Sequence, residues 1–184
     1  YFSAKPSDKM VRQLLWMTLA DTPHYFPLDQ TCVVVDGDPR TAALVQDLAA
    51  ELKDCGRTFR TLVLPQNQGK FAAIREGVAA LLSAHAGINF VAIRDSDGDH
   101  AISEVPALVR IALSLAGAYG HTRVITVGSR RSRIHPMGWL RGELEELLDR
   151  VTLDALAYRL AQDGRALDLC NCLGQGQVPD LSSG

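Results

Sequence analysis

Three aspartates, Asp95, Asp97 and Asp99, occur at alternate positions in the chain. The apolar residues 90–93 immediately before them have the composition of a buried strand, so the three carboxylates should lie on the loop at its C-terminal end. Carboxylates this close together repel one another, and a hard divalent cation with a preference for oxygen ligands relieves the repulsion. The spacing therefore predicts a Mg²⁺ or Mn²⁺ site whose open coordination positions suit phosphate oxygens.

Two other kinds of loop also carry closely spaced aspartates. A solvated acidic turn that caps the next helix would also place aspartates here. An EF-hand loop begins in a similar way, but it requires glycine at its sixth position and glutamate at its twelfth. Those positions hold His100 and Pro106, which excludes the EF-hand.

The elements that would position the aspartates form an alternating pattern. Apolar and mostly β-branched runs predict four strands, at residues 32–35, 61–64, 90–93 and 124–127. Apolar residues at helical spacing predict helices after Arg40, after Lys70, between Glu104 and Leu115, and from Trp139 onward. Strands that alternate with helices predict an α/β fold with a mainly parallel sheet flanked by helices.

Polar side chains follow each predicted strand. In chain order these are Asp36 and Asp38, then Asn67, Gly69 and Lys70, then the three aspartates, then Ser129, Arg130, Arg131 and Arg133. Ligands of open α/β sheets bind outside the carboxyl ends of the strands, so these four loops should converge on one edge. Carboxylates and cations at the same edge suit a metal ion together with a diphosphate.

Each of the other three loops has a structural alternative. Asp36 and Asp38 would contact a nucleoside, or form a turn in which Pro39 starts a helix. Gly69 and Lys70 would bind an anion at a helix N-terminus, or form a plain strand-to-helix turn. The arginines at 130–133 would make bidentate phosphate contacts, or belong to a solvated basic loop.

Composition bounds the possible functions. The chain has 184 residues, 47% of them hydrophobic and 22% charged, which predicts one soluble domain over residues 1–184. Its formal net charge of -2 does not favour nucleic-acid binding. The four cysteines, Cys32, Cys55, Cys170 and Cys172, lack the spacing of a zinc or redox pair. Structural thiols in a reducing compartment are the favoured interpretation, and a metal or disulfide role is the alternative.

No signal peptide is recognisable, and no apolar run approaches the roughly 20 residues that span a bilayer. The longest candidate, at residues 108–119, is interrupted by Arg110. The expected location is the cytoplasm, or the cytoplasmic face of a membrane.

In this order the motifs resemble those of the family 2 glycosyltransferases, which have the Rossmann-like GT-A fold. The resemblance rests on Asp36 and Asp38 after a valine-rich strand, on Asn67-Gln68-Gly69-Lys70 followed by Ala73 and Gly77, on Asp95-Ser96-Asp97, on Gly128-Ser129-Arg130, and on Asp180-Leu181-Ser182-Ser183-Gly184. With Asp99 and His100 included, the aspartate motif is similar to that of the dolichol-phosphate mannose synthase subgroup. The resemblance covers nearly the whole chain.

The resemblance implies an inverting transfer of a sugar from a nucleotide-diphosphate sugar. It implies that Asp95, Asp97 and Asp99 bind Mg²⁺ or Mn²⁺, and that Asp180 is the general base. It implies phosphate contacts for Arg130, Arg131 and Arg141. The residues that it places on the nucleotide side of the donor site are Asp36, Asp38, Asn67, Gly69 and Lys70. It leaves the acceptor open among a polyprenyl phosphate, a saccharide and a small molecule. No nucleic-acid partner is expected, in line with the net charge.

The sequence departs from the family pattern at four places. The segment Asp36-Gly37-Asp38 is shorter than the family's aspartate motif, and Asp99 stands where the subgroup has glutamine. The first strand of the family and its C-terminal part have no counterpart, so we expect the chain to be a segment of a longer protein. Membrane association would then come from those missing parts.

Two functions of other classes compete with this interpretation. A phosphatase of the haloacid dehalogenase class would use Asp95 as nucleophile and Asp97 as acid, although that class carries its motif on the first strand. A non-catalytic scaffold that kept the GT-A fold is the second alternative, because fold does not determine function.

Overall fold

The computed structural model describes residues 6–96, 100–120, 123–128 and 139–166, with the side chains of 139–141 excluded. Contacts between Cα atoms divide the chain into two compact units, Tyr1–Val109 and Arg110–Gly184. The single domain predicted for residues 1–184 stays a prediction.

The first unit is built on a β-α-β motif. Strands β1 (Cys32–Asp36) and β2 (Arg60–Leu64) pair in parallel, in a register that aligns Cys32 with Arg60 and Asp36 with Leu64. Helix α2 (Pro39–Asp54) connects them, as a parallel pair requires a crossover connection. The predicted α/β class is confirmed by this parallel pair and its flanking helices.

Helices cover both faces of β1. Val35 is buried in a cluster with Val45 and Leu48 of α2. The neighbouring Val34 lies on the opposite face, because side chains alternate along a strand. There its Cγ2 atom lies 2.7 Å from the position that a Cβ on Gly77 would take, so α3 (Lys70–Ala84) approaches the strand closely. The sheet is therefore the middle layer of three.

Helix α1 (Asp8–Ala20) was not predicted from the sequence. The Ser7 side chain caps it by accepting a hydrogen bond from the Met10 backbone N–H at 3.2 Å. Its buried Leu15 and Leu19 join the core cluster that includes α2. Two ion pairs, Arg12–Glu51 and Arg40–Asp8, also join α1 to α2. Two short 3-10 turns, Thr22–His24 and Leu28–Gln30, then lead from α1 into β1.

Two of the four predicted strands are wrong. Residues 90–93 and 124–127 have no regular secondary structure, and within the described residues the sheet contains β1 and β2 alone. Phe90 and Ile93 are 41% and 44% exposed, and Ile125 is 89% exposed. A strand needs a neighbour for its backbone hydrogen bonds, and an apolar run does not specify that neighbour.

The predicted helices are confirmed. Besides α2 and α3 they are α4 (Val105–Tyr119), preceded by a 3-10 turn at Ile102–Glu104, and α5 (Trp139–Gln162). The boundary between the two units falls within α4. By length and composition alone, the segment Ile102–Tyr119 is long and apolar enough to cross a membrane, and 11% of it is buried. This segment contains the apolar run at residues 108–119, which the sequence alone predicts to be too short for a membrane span.

Candidate functional site

The Asp36 carboxylate joins the end of β1 to the start of α3. It accepts hydrogen bonds from the backbone N–H groups of Gln68 and Gly69, both at 2.8 Å. The first N–H groups of a helix have no partner within the helix, and they favour a negative charge. Asp36 therefore places a negative charge of the protein itself at the turn that leads into α3.

Gly37 allows the loops after β1 and β2 to touch. Its φ of +72° lies in the left-handed region, and an added Cβ would lie 2.0 Å from the Asn67 backbone nitrogen and 2.3 Å from the Gln66 carbonyl carbon. Only glycine permits both this backbone conformation and this approach. The contact brings the Asp36 carboxylate within reach of the α3 N-terminus.

Gly69 gives α3 its sharp start. Its φ of +90° and ψ of 158° belong to a region that is essentially restricted to glycine. The Asn67 side-chain oxygen also accepts from the Gly69 N–H, at 3.1 Å. Glycine is therefore required here for its backbone conformation, and the close approach to a ligand stays a prediction.

Lys70, the first residue of α3, reaches the aspartate loop. Its Nζ atom lies 3.0 Å from Oδ2 of Asp95, and the two side chains are 45% and 38% exposed. Exposed ion pairs contribute little to stability because solvent screens them. The contact matters chiefly because it brings the first aspartate of the predicted metal site to the loop after β2.

Asp38 has a structural partner in the described residues. Its carboxylate caps α2 by accepting from the Thr41 backbone N–H at 3.2 Å and from the Thr41 hydroxyl, and Pro39 occupies the first helical position. This arrangement matches the alternative interpretation of the motif as a turn with proline placed for helix entry. The nucleoside contact of Asp36 and Asp38 stays a prediction.

Arg94 anchors the segment that carries the aspartates, and sequence reasoning missed it. Its guanidinium donates to the backbone carbonyls of Thr18, at 3.4 Å, and of His100. Burial lowers the pKa of this guanidinium, and the charge of Asp21 opposes that shift. The signal was present in the sequence, because Arg94 is a charged residue that directly follows an apolar run.

The described residues bring together part of the predicted site. Asp36, Asn67, Gly69, Lys70 and Asp95 are linked by direct contacts. Outside the described residues lie Asp97, Asp99, Arg130, Arg131 and Asp180; the backbone of Arg141 belongs to α5, but its side chain is not described.

The donor chemistry of this cluster fits a hard divalent cation in part. Asp95 offers an exposed carboxylate, whereas the Asp36 carboxylate is occupied by backbone N–H groups. Within the described ranges, no group of three or more His, Cys, Asp or Glu side chains is arranged to hold a metal ion. A complete ligand set would need Asp97 and Asp99.

The two cysteines in the described part of the chain are free thiols. Burial raises the pKa of the Cys32 thiol, and the charge of Arg60 opposes that shift. Cys55 is exposed at the end of α2. Cys170 and Cys172 lie outside the described residues.

Comparison of the chain with protein-family models, with curated proteins and with solved structures returned no match.

Proposed function

We propose that the chain carries the donor site of a metal-dependent glycosyltransferase, which transfers a sugar from a nucleotide-diphosphate sugar with inversion. The observation that carries the proposal is the contact between Lys70 and Asp95 at 3.0 Å. It joins a cation at a helix N-terminus to the first carboxylate of the alternating aspartates. A diphosphate bound through a metal ion needs positive charge and metal ligands side by side.

The Asp36 contacts support the same proposal. They fix the turn that begins α3, so the Lys70 side chain starts from a defined position beside Asp95. Fixed charges cost less reorganisation when a ligand binds than mobile ones do. We assign Asp36 to holding this turn, in addition to the nucleoside contact that the resemblance implies for it.

In the proposed site Asp95, Asp97 and Asp99 would hold Mg²⁺ or Mn²⁺. The metal ion would supply Lewis-acid stabilisation of the leaving diphosphate. Lys70, Arg130, Arg131 and Arg141 would add positive charge to the phosphate oxygens. Asp180 would remove the proton of a hydroxyl acceptor, whereas an anionic phosphate acceptor would need little help from a base.

A transfer assay tests the proposal. The protein is incubated with Mn²⁺ and a panel of sugar-labelled nucleotide-diphosphate sugars, with a polyprenyl phosphate or a saccharide as acceptor. The proposal predicts a labelled product, or slow release of the free sugar, with one nucleotide. The Asp97→Ala variant should lose this activity, whereas Asp29→Ala, which removes an exposed aspartate that belongs to none of the motifs, should retain it.

The assay separates the proposal from its alternatives. Hydrolysis of sugar phosphates with trapping of an aspartyl-phosphate analogue by beryllium fluoride would identify a phosphatase. A folded protein that neither turns over nor binds any nucleotide-diphosphate sugar would be a scaffold. Either result would contradict the proposed transfer.

A further inference from the structure

A cavity of about 470 Å³ lies beside the C-terminal end of α3, within the first unit. Its volume falls in the range of small-molecule sites in proteins. Three separate parts of the chain line it. They are Phe26 and Gln30 ahead of β1, residues between His85 and Phe90 after α3, and Val109 of α4.

The cavity and the proposed donor site lie at opposite ends of the sheet. Lys70 begins α3 beside Asp36, at the carboxyl end of β1, whereas His85 follows the last residue of that helix. At about 1.5 Å per residue, the 15 residues of α3 place Lys70 and His85 about 22 Å apart. Gln30 likewise precedes β1, at the amino end of the strand. The cavity is therefore separate from the site of the proposed function.

Two phenylalanine rings line the cavity. Phe90 is 41% exposed, and Phe26 is half-buried. Aromatic rings stack with an offset on other ring systems, including the bases of nucleotides. A rigid flat molecule loses little conformational freedom when it covers such rings. The two rings therefore favour a planar aromatic ligand over a flexible chain.

Two carboxamides give the cavity its hydrogen-bonding groups. Gln30 is exposed, and the Asn89 amide donates to the Gly87 carbonyl at 3.4 Å. That distance is longer than a typical N–H···O bond, so a better-placed acceptor can replace the carbonyl. A carboxamide offers a donor and an acceptor side by side, which is the pattern that pairs with the edge of an adenine base.

His85 adds a polar atom to the cavity wall. Its Nε2 atom is buried and makes no hydrogen bond within the described part of the chain. A buried polar atom without a partner is unfavourable, and imidazole nitrogens either donate or accept hydrogen bonds. Because Nε2 is itself covered, the ring must rotate slightly to present it to a ligand. A ligand with ring nitrogens would then supply the missing partner.

The wall of the cavity carries no formal charge from acids, lysine or arginine. Among the described residues that line it, none is Asp, Glu, Lys or Arg. A charged group would lose its hydration in the cavity without meeting an opposite charge. The part of a ligand that enters the cavity should therefore be uncharged.

We propose that this cavity binds an uncharged heteroaromatic molecule with hydrogen-bond donors and acceptors along one edge, as in a purine nucleoside. The ring system packs against Phe90 and Phe26. Its polar edge pairs with the carboxamides of Asn89 and Gln30. The site is independent of the proposed donor site and needs no metal ion.

A nuclear magnetic resonance titration of the full 184-residue chain tests the proposal. Adenosine is added to the isotope-labelled, backbone-assigned protein in the presence of EDTA, which keeps the proposed donor site free of metal. A ligand of this size should bind with a dissociation constant of about 0.1 to 1 mM. The amide signals of Gln30 and of residues 85–90 should shift, whereas those of residues 68–70 should not.

Two phenylalanine variants test the stacking. Phe90→Ala should weaken the binding of adenosine about tenfold, because it removes a stacking surface. Phe71→Ala is the matched control, since Phe71 lies at the opposite end of α3 and is 85% exposed. It should change the dissociation constant by less than about twofold. The spectrum of each variant shows whether the fold is retained.

A second ligand tests the chemical class. Naphthalenemethanol has two fused aromatic rings but no ring nitrogens. Asn89→Ala should weaken adenosine about threefold to tenfold, because it removes the groups that pair with the polar edge. The same variant should leave the binding of naphthalenemethanol unchanged.

Several outcomes would overturn the proposal. Absence of shifts with adenosine up to about 5 mM, or shifts confined to residues 68–70, would show that the cavity does not bind such a ring. An unchanged dissociation constant in Phe90→Ala would exclude stacking in the cavity. Equal effects of Asn89→Ala on the two ligands would show that the cavity accepts an apolar ring without recognising its edge.

Discussion

The carboxylate of Asp36, the last residue of β1, lies 2.8 Å from the backbone nitrogen of Gly69, the residue that caps α3. A second hydrogen bond, from the Gln68 N–H, completes the arrangement. Two loops that are remote in sequence are therefore joined by a charged side chain. Lys70 then reaches Asp95 from the first turn of the same helix.

Removal of the Asp36 carboxylate should destabilise the first unit. Asp36→Ala leaves the Gln68 N–H without this charged acceptor and the Gly69 N–H with only the Asn67 side-chain oxygen. The expected cost is about 1 to 2 kcal/mol in the free energy of unfolding. Urea denaturation followed by circular dichroism measures the change. Asp29→Ala, at an exposed turn position, should change stability by less than about 0.5 kcal/mol. Equal stability of the two variants would show that Asp36 does not secure this turn.

Alanine substitutions at two glycines with nearly the same backbone conformation distinguish the cost of backbone strain from the cost of a steric clash. Gly37 and Gly56 have φ values of +72° and +73°, but an added Cβ meets the Asn67 backbone only at Gly37. Gly56→Ala should cost about 1 to 2 kcal/mol, from the left-handed conformation alone. Gly37→Ala should cost at least about 3 kcal/mol, because backbone atoms must also move apart. Similar losses in both would mean that the two loops do not touch as described.

The ion pair between Lys70 and Asp95 should be weak and sensitive to salt. Both side chains are more than a third exposed, so a double-mutant cycle with Lys70→Met and Asp95→Asn should give a coupling energy of about 0.2 to 1 kcal/mol. Raising the salt from about 0.05 to 1 M should remove most of it. A coupling energy above about 2 kcal/mol would indicate a buried pair and contradict the described exposure.

The two described thiols should react at different rates. Burial raises the pKa of Cys32, so at pH 8 a smaller fraction of Cys32 than of an ordinary thiol is thiolate, the reactive form. Exposed Cys55 should therefore be alkylated by iodoacetamide at least about tenfold faster, as measured by peptide mass spectrometry. The rate at Cys32 should rise as the pH is increased towards its raised pKa. Faster labelling of Cys32 at pH 8 would contradict its partial burial.

The raised pKa of Cys32 also makes the free energy of unfolding depend on pH. The direction is opposite to that of a salt-bridged carboxylate, whose contribution is lost as the pH falls. Because the pKa of Cys32 is raised in the folded chain, the folded state holds this proton more tightly than the unfolded state does. The contribution of this proton to the free energy of unfolding is therefore retained at neutral pH. It is lost as the pH rises from the ordinary thiol range through the raised value.

The sequence predicted those elements that depend on local pattern. The apolar spacing after Arg40 and after Lys70 was sufficient for α2 and α3, because one buried side defines a helix. Helix α1 was missed although Ser7 is a typical cap and Val11, Leu15 and Leu19 recur at helical spacing.

The rest depends on contacts between distant segments. Residues 90–93 have a strand-like composition, but pairing is a property of two segments and one segment does not specify it. The role of Asp36 depends on the approach of Gly37 to Asn67, which no local pattern encodes. The aspartates at 95, 97 and 99 suggested a metal site by spacing alone, and the described residues add the contact of Asp95 with Lys70.

Calorimetric titration of nucleoside diphosphates, with and without Mn²⁺, tests the donor site most directly. The wild type and Asp97→Ala should be compared under identical conditions. The proposed function predicts that one nucleoside diphosphate binds only with the metal, and that Asp97→Ala weakens this binding at least tenfold, roughly the loss expected when a metal ligand is removed. Absence of binding across the whole panel by the folded protein, or binding that neither Mn²⁺ nor Asp97→Ala alters, would contradict it.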